Sequence, residues 1–193
     1  LQRGVVTAYD LVSLDEGWIR KNLTVGGLRL VQELKGIPCS VIEEYYPRKK
    51  NICTARSFGR KIKSSQELEE AVSAYATTCS EKLRAEGSCA SIVTVFLTTN
   101  PFDFSQPQYG GSRKLQLATP TNDSLEIVKV AIDALRHIHK PDLIYKKAGV
   151  VVSGIVPENQ VQLSLFDGVD RQKRKCLMTS VDKINKRIGK DKV

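Results

Sequence analysis

Several residue patterns that would settle a protein's class are missing from this chain. Its five cysteines (Cys39, Cys53, Cys79, Cys89 and Cys176) include no C-x-x-C pair and are odd in number. Neither a disulfide framework nor a zinc site is therefore indicated, and the usage fits a reducing cytoplasm. No apolar run is long enough to span a bilayer, and no signal peptide opens the chain. His137 and His139 stand two apart on a helical stretch and so point to different faces, which argues against a metal site. Gly110-Gly111-Ser112-Arg113 lacks phosphate-loop spacing. The single methionine is Met178, and the chain starts at Leu1, so it reads as a piece of a longer protein.

What is present points to a polyanionic partner. The 193 residues are 41% hydrophobic, enough for a packed core, and carry a net charge of +9. That charge is uneven. Residues 168–193 hold nine bases against three acids, or +6, while residues 38–167 are nearly neutral but internally segregated.

The densest stretch, residues 47–63, reads PRKKNICTARSFGRKIK and contains Arg48, Lys49, Lys50, Arg56, Arg60, Lys61 and Lys63 without one acid. Its centre alternates like a strand. Ile52, Thr54, Arg56 and Phe58 lie on one face; Cys53, Ala55 and Ser57 lie on the other. Such a strand either presents cations and hydroxyls to a row of phosphates or is a solvated edge that uses lysine against aggregation.

Periodicity divides the chain further. Residues 1–37 read as two short helices, the first opened by a capping box at Ser13-Leu14-Asp15-Glu16, the second capped by Thr24 and stopped at Gly36. Residues 38–47 read as a linker. A capping box at Ser64-Ser65-Gln66-Glu67 opens a helix with Leu68, Val72, Tyr75, Cys79 and Leu83 in one stripe; Cys53 and Cys79 read as small buried hydrophobes. A strand at 91–99 and a loop at 100–112 follow. Next come a strand at 113–119, a helix with Leu125, Val128, Ile132 and Leu135 inward, and a last strand at 145–156.

The order β-α-β-β-α-β predicts an α+β domain, a four-stranded sheet with both helices on one face. Acids gather on the first of those helices (Glu67, Glu69, Glu70, Glu81, Glu86). Arg56, Arg60, Arg113, Lys114, Lys146 and Lys147 belong to the strands and their ends. An open face rich in cations, backed by an acidic helix, predicts nucleic acid along the sheet.

After the last strand, Gln162-Leu163-Ser164-Leu165-Phe166 offers two readings. It is either a short linear anchor, in which burying Leu165 and Phe166 contributes ~1.5–3 kcal/mol each, or an edge strand of period two. Val181, Ile184 and Ile188 make a short amphipathic helix with a basic face that docks back, binds a partner or touches DNA.

A resemblance joins these pieces. Trp18-Ile19-Arg20-Lys21, then Leu28 to Cys39 with Gly36-Ile-Pro-Cys, then Lys49 to Ile62 around ARSFG, resemble the UmuC-like branch of the Y-family translesion DNA polymerases. The resemblance implies the end of a thumb domain at 1–37, a little finger at 38–161, and a sliding-clamp motif with a basic tail at 162–193. It implies template–primer backbone contacts in the little finger, first at Arg56, Ser57, Gly59 and Arg60. Lys49, Lys50, Lys61, Arg113, Lys114, Lys146 and Lys147 are further candidates. It implies clamp contacts at Gln162, Leu163, Ser164, Leu165 and Phe166, and it brings in a UmuD-like accessory dimer and a recombinase filament as partners. The metal-holding palm, with its Mg2+, belongs upstream, so no cofactor and no polymerase activity is expected of this stretch, and the setting is cytoplasmic, at the nucleoid.

Three other readings stay open on the residues. An RNA-binding module would stack bases on sheet aromatics, for which Phe96 and Phe58 are available without an RNP1-like run. An acylphosphatase-type enzyme would need an Arg-centred phosphate loop, and none is evident. A purely structural domain would carry its basic face incidentally.

Overall fold

The computed structural model describes residues 4–40, 48–162 and 168–189. The chain divides into two compact units, Leu1–Arg48 and Lys49–Val193.

The first unit is helical. A short helix that the sequence pattern did not predict, α1 (Ala8–Val12), is opened by a reciprocal capping box. The Thr7 hydroxyl accepts from the Asp10 N–H, while the Asp10 carboxylate accepts from the N–H groups of Thr7 and Val6. The next helix, α2 (Glu16–Leu34), starts at Asp15 rather than Ser13, because the Asp15 carboxylate accepts the Trp18 N–H at 2.9 Å. Ser13 instead ends α1, its hydroxyl donating to the Tyr9 carbonyl.

α2 is two helices folded back at Thr24, whose φ of 62° and ψ of −168° interrupt the spiral. The Lys35 ammonium lies 3.6 Å from the Glu16 carboxylate. In a straight helix of this length those ends would be about 28 Å apart. Gly27 permits the reversal, since a Cβ there would sit 2.3 Å from the Leu23 Cβ.

The second unit has the expected order: β1 (Asn51–Ile62), α3 (Ser65–Ala85), β2 (Ser88–Thr98), β3 (Gly110–Thr121), α4 (Ser124–Ile138) and β4 (Tyr145–Pro157). The strands form one sheet in the order β1-β4-β2-β3, and every neighbouring pair is antiparallel. β1 and β2 therefore run parallel with β4 between them, and β3 and β4 run parallel with β2 between them. Each helix links one such split pair.

Both helices cover one face. Leu68, Val72, Cys79 and Leu83 of α3 and Ile127, Ala131 and Leu135 of α4 join Val93, Val95, Leu97, Val150 and Val152 in a single buried cluster. Each large aliphatic side chain there contributes about 1.5–3 kcal/mol by leaving water.

Two helix details differ from the periodicity reading. Ser64 occupies the N-cap of α3, but its side chain makes no capping bond, and Glu67 turns to Arg60 instead. In α4 the inward stripe is Ile127, Ala131, Ala134, Leu135 and Ile138, while Leu125 is half exposed. α4 has apolar residues at most positions, so more than one apolar stripe can be drawn along it. The small side chains Ala131 and Ala134 take the buried side.

After a 3-10 turn at Glu158–Gln160 and an intervening segment, α5 (Arg171–Ile188) packs back on this unit. The predicted stripe of Val181, Ile184 and Ile188 is not the docked face, since Ile184 and Ile188 are exposed. A polar row makes the contact: Arg171 with Glu126 and Thr121, Lys175 with Glu158, and Asp182 with Arg84. Arg174 also approaches Asp123, and Met178 is buried among them. The helix meets the C-terminal end of α3 and the N-terminus of α4, where Arg84, Asp123 and Glu126 pair with its charged side chains.

Candidate nucleic-acid interface

Pleating assigns each strand residue to one side of the sheet, and cross-strand partners share a side. The uncovered side can be read row by row from the register. Its rows are Asn51–Ser153–Ile92–Gln116, Cys53–Val151–Thr94–Lys114, Ala55–Gly149–Phe96–Ser112 and Ser57–Lys147–Thr98–Gly110. Four strands spaced ~4.8 Å apart make this surface roughly 14 Å across.

Small and hydroxylated side chains dominate it. The Phe96 ring lies over Gly149, where an added Cβ would meet Phe96 Cζ at 2.4 Å and the Ala55 Cβ at 2.6 Å. The Lys147 ammonium sits 5.9 Å from the centre of the same ring. Hydroxyls of Ser57, Thr94, Thr98 and Ser112 stand beside Lys114 and Lys147. Of these, Thr94, Thr98 and Ser112 were not singled out by charge. Alternation plus the sheet order would have found them.

The predicted cations fall into three groups. Lys114 and Lys147 are on the open face, with Ser57 directly opposite Lys147. Arg56 and Arg113 are not. Arg113 pairs with buried Val95, and Arg56 shares the side of Thr54, whose hydroxyl contacts the Cys79 thiol of α3. Both guanidinium groups therefore belong to the rim of the helix-covered side. That corrects the expectation of a uniformly basic open face, because strand alternation sends every second cation backwards. Cys53, expected to be buried, is exposed on the open face, whereas Cys79 is buried.

The third group surrounds an interruption in β1. Ser57 pairs with Lys147 and Ile62 with Tyr145, so residues 58–61 stand opposite Lys146 alone. This bulge pushes Gly59, Arg60 and Lys61 outward. The space around Gly59 is open, and the Lys146 ammonium donates to the Phe58 carbonyl at 2.8 Å. Arg60 pairs with Glu67 at 2.7 Å, and Lys49, at the other end of β1, pairs with Glu86. The acids of α3 thus neutralise cations at both ends of the strand they cross behind. Lys50 is exposed, with no ion-pair partner among the described residues.

Of the clamp-motif residues, Gln162 is exposed, and Leu163, Ser164, Leu165 and Phe166 lie outside the described residues. Among the described residues, no group of three or more His, Cys, Asp or Glu side chains converges to hold a metal ion. No described helix is long and apolar enough to cross a membrane.

Comparison with known proteins adds to this geometry. Residues 49–165 match the impB/mucB/samB family C-terminal domain. Protein UmuC of Salmonella typhimurium strain LT2 is 37% identical over 188 residues, covering 97% of this chain and 44% of that protein. Protein ImpB of Salmonella typhimurium is 37% identical over 191 residues, 98% of this chain and 45% of its own length. Protein MucB of Escherichia coli is 35% identical over the same span, with the same coverage. The chain therefore spans less than half the length of these relatives.

Proposed function

The chain belongs to the impB/mucB/samB family, and from that premise we propose that it is the DNA-gripping, clamp-tethering C-terminal portion of a UmuC-like, error-prone translesion DNA polymerase acting in SOS mutagenesis and DNA repair. On this reading residues 1–37 end the thumb, residues 38–161 are the little finger, and residues 162–193 carry the clamp motif and tail. Nucleotidyl transfer and its Mg2+ ions belong to a palm domain elsewhere in the polymerase. A UmuD-like dimer and a recombinase filament would act on the assembled enzyme.

The observation that carries the reading is the open face of the sheet. Ser57, Thr98 and Ser112 carry only small side chains beside the Phe96 ring, which lies over Gly149, so a sugar–phosphate backbone can approach these strand ends closely. Lys114 and Lys147, with hydroxyls between them, supply cations and donors to phosphates. Lysines and hydroxyls that meet phosphates carry no sequence information, so binding should ignore sequence. Leu163, Leu165 and Phe166 would enter a pocket on the bacterial sliding clamp, with Gln162 for hydrogen bonding, at an affinity on the order of micromolar.

Two titrations test this. Binding to primer–template duplexes of unrelated sequence should be equal, and log K should fall linearly with log salt, by about 0.9 per phosphate neutralised. Sequence-dependent or salt-independent binding would refute the DNA half. The clamp of the source organism should bind the chain and not its Leu165→Ala/Phe166→Ala variant; no binding by the unaltered chain would refute the tether.

A further inference from the structure

The loop between β2 and β3 holds two phenylalanines in solvent. Phe102 is 84% exposed and Phe104 is 89% exposed. Two aromatic rings this exposed and only two residues apart on one loop form an apolar patch, the kind of feature that marks a binding surface.

The loop that bears them is well braced. The Asn100 side-chain oxygen accepts the Phe102 N–H, and the Asn100 backbone carbonyl accepts the Asp103 N–H at 3.2 Å and the Gln108 side-chain amide at 3.0 Å. Asp103 accepts from the Ser105 N–H and hydroxyl and from the Gln106 amide. At the base, Thr99 and Tyr109 exchange bonds, and the Tyr109 hydroxyl donates to the Ile138 carbonyl at 2.8 Å. Pro101 and Pro107 restrict the backbone further. The display is therefore pre-organised, and binding would cost little ordering entropy.

Its surroundings are cationic. The loop springs from the last row of the open face, where Thr98 and Gly110 adjoin Lys147 and Ser57. The Lys140 ammonium stands 4.4 Å over the Tyr109 ring at the loop's base. Lys61, from the β1 bulge, is near enough to help hold the Asp103 carboxyl below its usual value, after the larger effect of the Ser105 hydroxyl. Lys61, Lys140 and Lys147 have no ion-pair partner among the described residues. The one acid between the rings, Asp103, is turned onto its own loop. Flat apolar faces on a loop that has lysines at its base and beside its acid suit a polyanion with flat apolar units, namely single-stranded nucleic acid.

We propose that Phe102 and Phe104 form a stacking platform for unpaired bases of single-stranded DNA leaving the duplex held on the open face. This rests on the duplex reading above and adds a second contact with a different chemistry.

The test compares three DNAs of equal duplex length: blunt, with a single-stranded template overhang, and with the same overhang made abasic. Each is titrated with the 193-residue chain and with its Phe102→Ala/Phe104→Ala variant. Stacking predicts that the unaltered chain prefers the overhang about tenfold over both other DNAs. The variant should lose that preference while binding blunt duplex unchanged, with an unaltered melting temperature. Three results would overturn the platform: no preference in the unaltered chain, an abasic overhang that binds as well as a normal one, or a variant that keeps the preference. The last would leave the phenylalanines to a protein partner. Failure of the duplex reading shows separately, as absence of binding to the blunt DNA.

Discussion

Arg84 and Asp182, 98 residues apart in sequence, face each other through two parallel bonds of 2.6 Å. The third guanidinium nitrogen of Arg84 donates to the Asn122 carbonyl and the Ser124 hydroxyl at 2.8 and 2.9 Å. One largely buried arginine thus joins α3, the start of α4 and the tail helix. Arg84→Ala removes all of these bonds and leaves Asp182 and the Asn122 carbonyl unanswered, at a cost of about 2 kcal/mol. Hydrogen exchange should quicken across α5 in this variant while α3 and β4 stay protected. Unchanged exchange in α5 would show that Met178 and the other ion pairs suffice.

The placement of cations separates two pairs of variants. Lys114→Ala and Lys147→Ala should each weaken duplex binding and reduce the magnitude of the salt slope by about 0.9. Arg56→Ala and Arg113→Ala, on the helix-side rim, should change it less. Binding titrations at several salt concentrations would check the contrast, and the opposite order would move the interface to the sheet edge.

Phe96 needs the bare backbone at Gly149. Gly149→Ala introduces a Cβ within 2.6 Å of both Phe96 and Ala55, an overpacking that costs about 1–3 kcal/mol. Urea melts should show that loss. A second change, Phe96→Ala, should recover part of it, since the Ala55 contact persists.

The cysteines report on both faces. In native protein a thiol reagent should modify exposed Cys53 and Cys176 quickly and buried Cys79 and Cys89 only on unfolding. Burial pushes the Cys79 thiol up and, with Glu158 nearby, pushes Cys89 up to about 11. Bound duplex should slow modification of Cys53, which lies on the open face, and leave Cys176 unaffected.

Alkali should destabilise the second unit. Cys89 holds its proton more tightly folded than unfolded, so its contribution is complete below pH 9.0 and is lost as pH climbs toward about 11. Lys175, raised above 10.5 by its bond to Glu158, acts in the same direction. Melting temperature should be level from pH 7 to 9 and fall above it, and Cys89→Ala should flatten the first part of the decline.

The element order of the second unit was legible because its signals are local. Alternation in 51–58 and 91–99, the apolar stripe of α3 and the Gly87 stop each depend on neighbours within a few residues. Where local signals overlapped, the reading slipped. Leu125 and Ile132 are as apolar as the residues α4 buries; of the expected stripe, Leu135 is buried and Val128 packs against the core, while Leu125 faces out. In the first unit, Ser13 and Asp15 both qualify as caps, and only the bond to Trp18 decides between them.

The amino-acid sequence alone determined the strands, the helices and the excess of basic residues, because propensity and period-two or period-3.6 patterning act over short distances. The tertiary structure decided which cations share a surface. Strand order and register set Lys114, Lys147 and Ser57 on one face, sent Arg56 and Arg113 to the other side, and tied Arg60 and Lys49 to the acids of α3. It also decided that α5 docks through charges and that Phe102 and Phe104 stand out on a braced loop. Those outcomes depend on pairings between residues far apart in sequence, whose partners no local pattern can name.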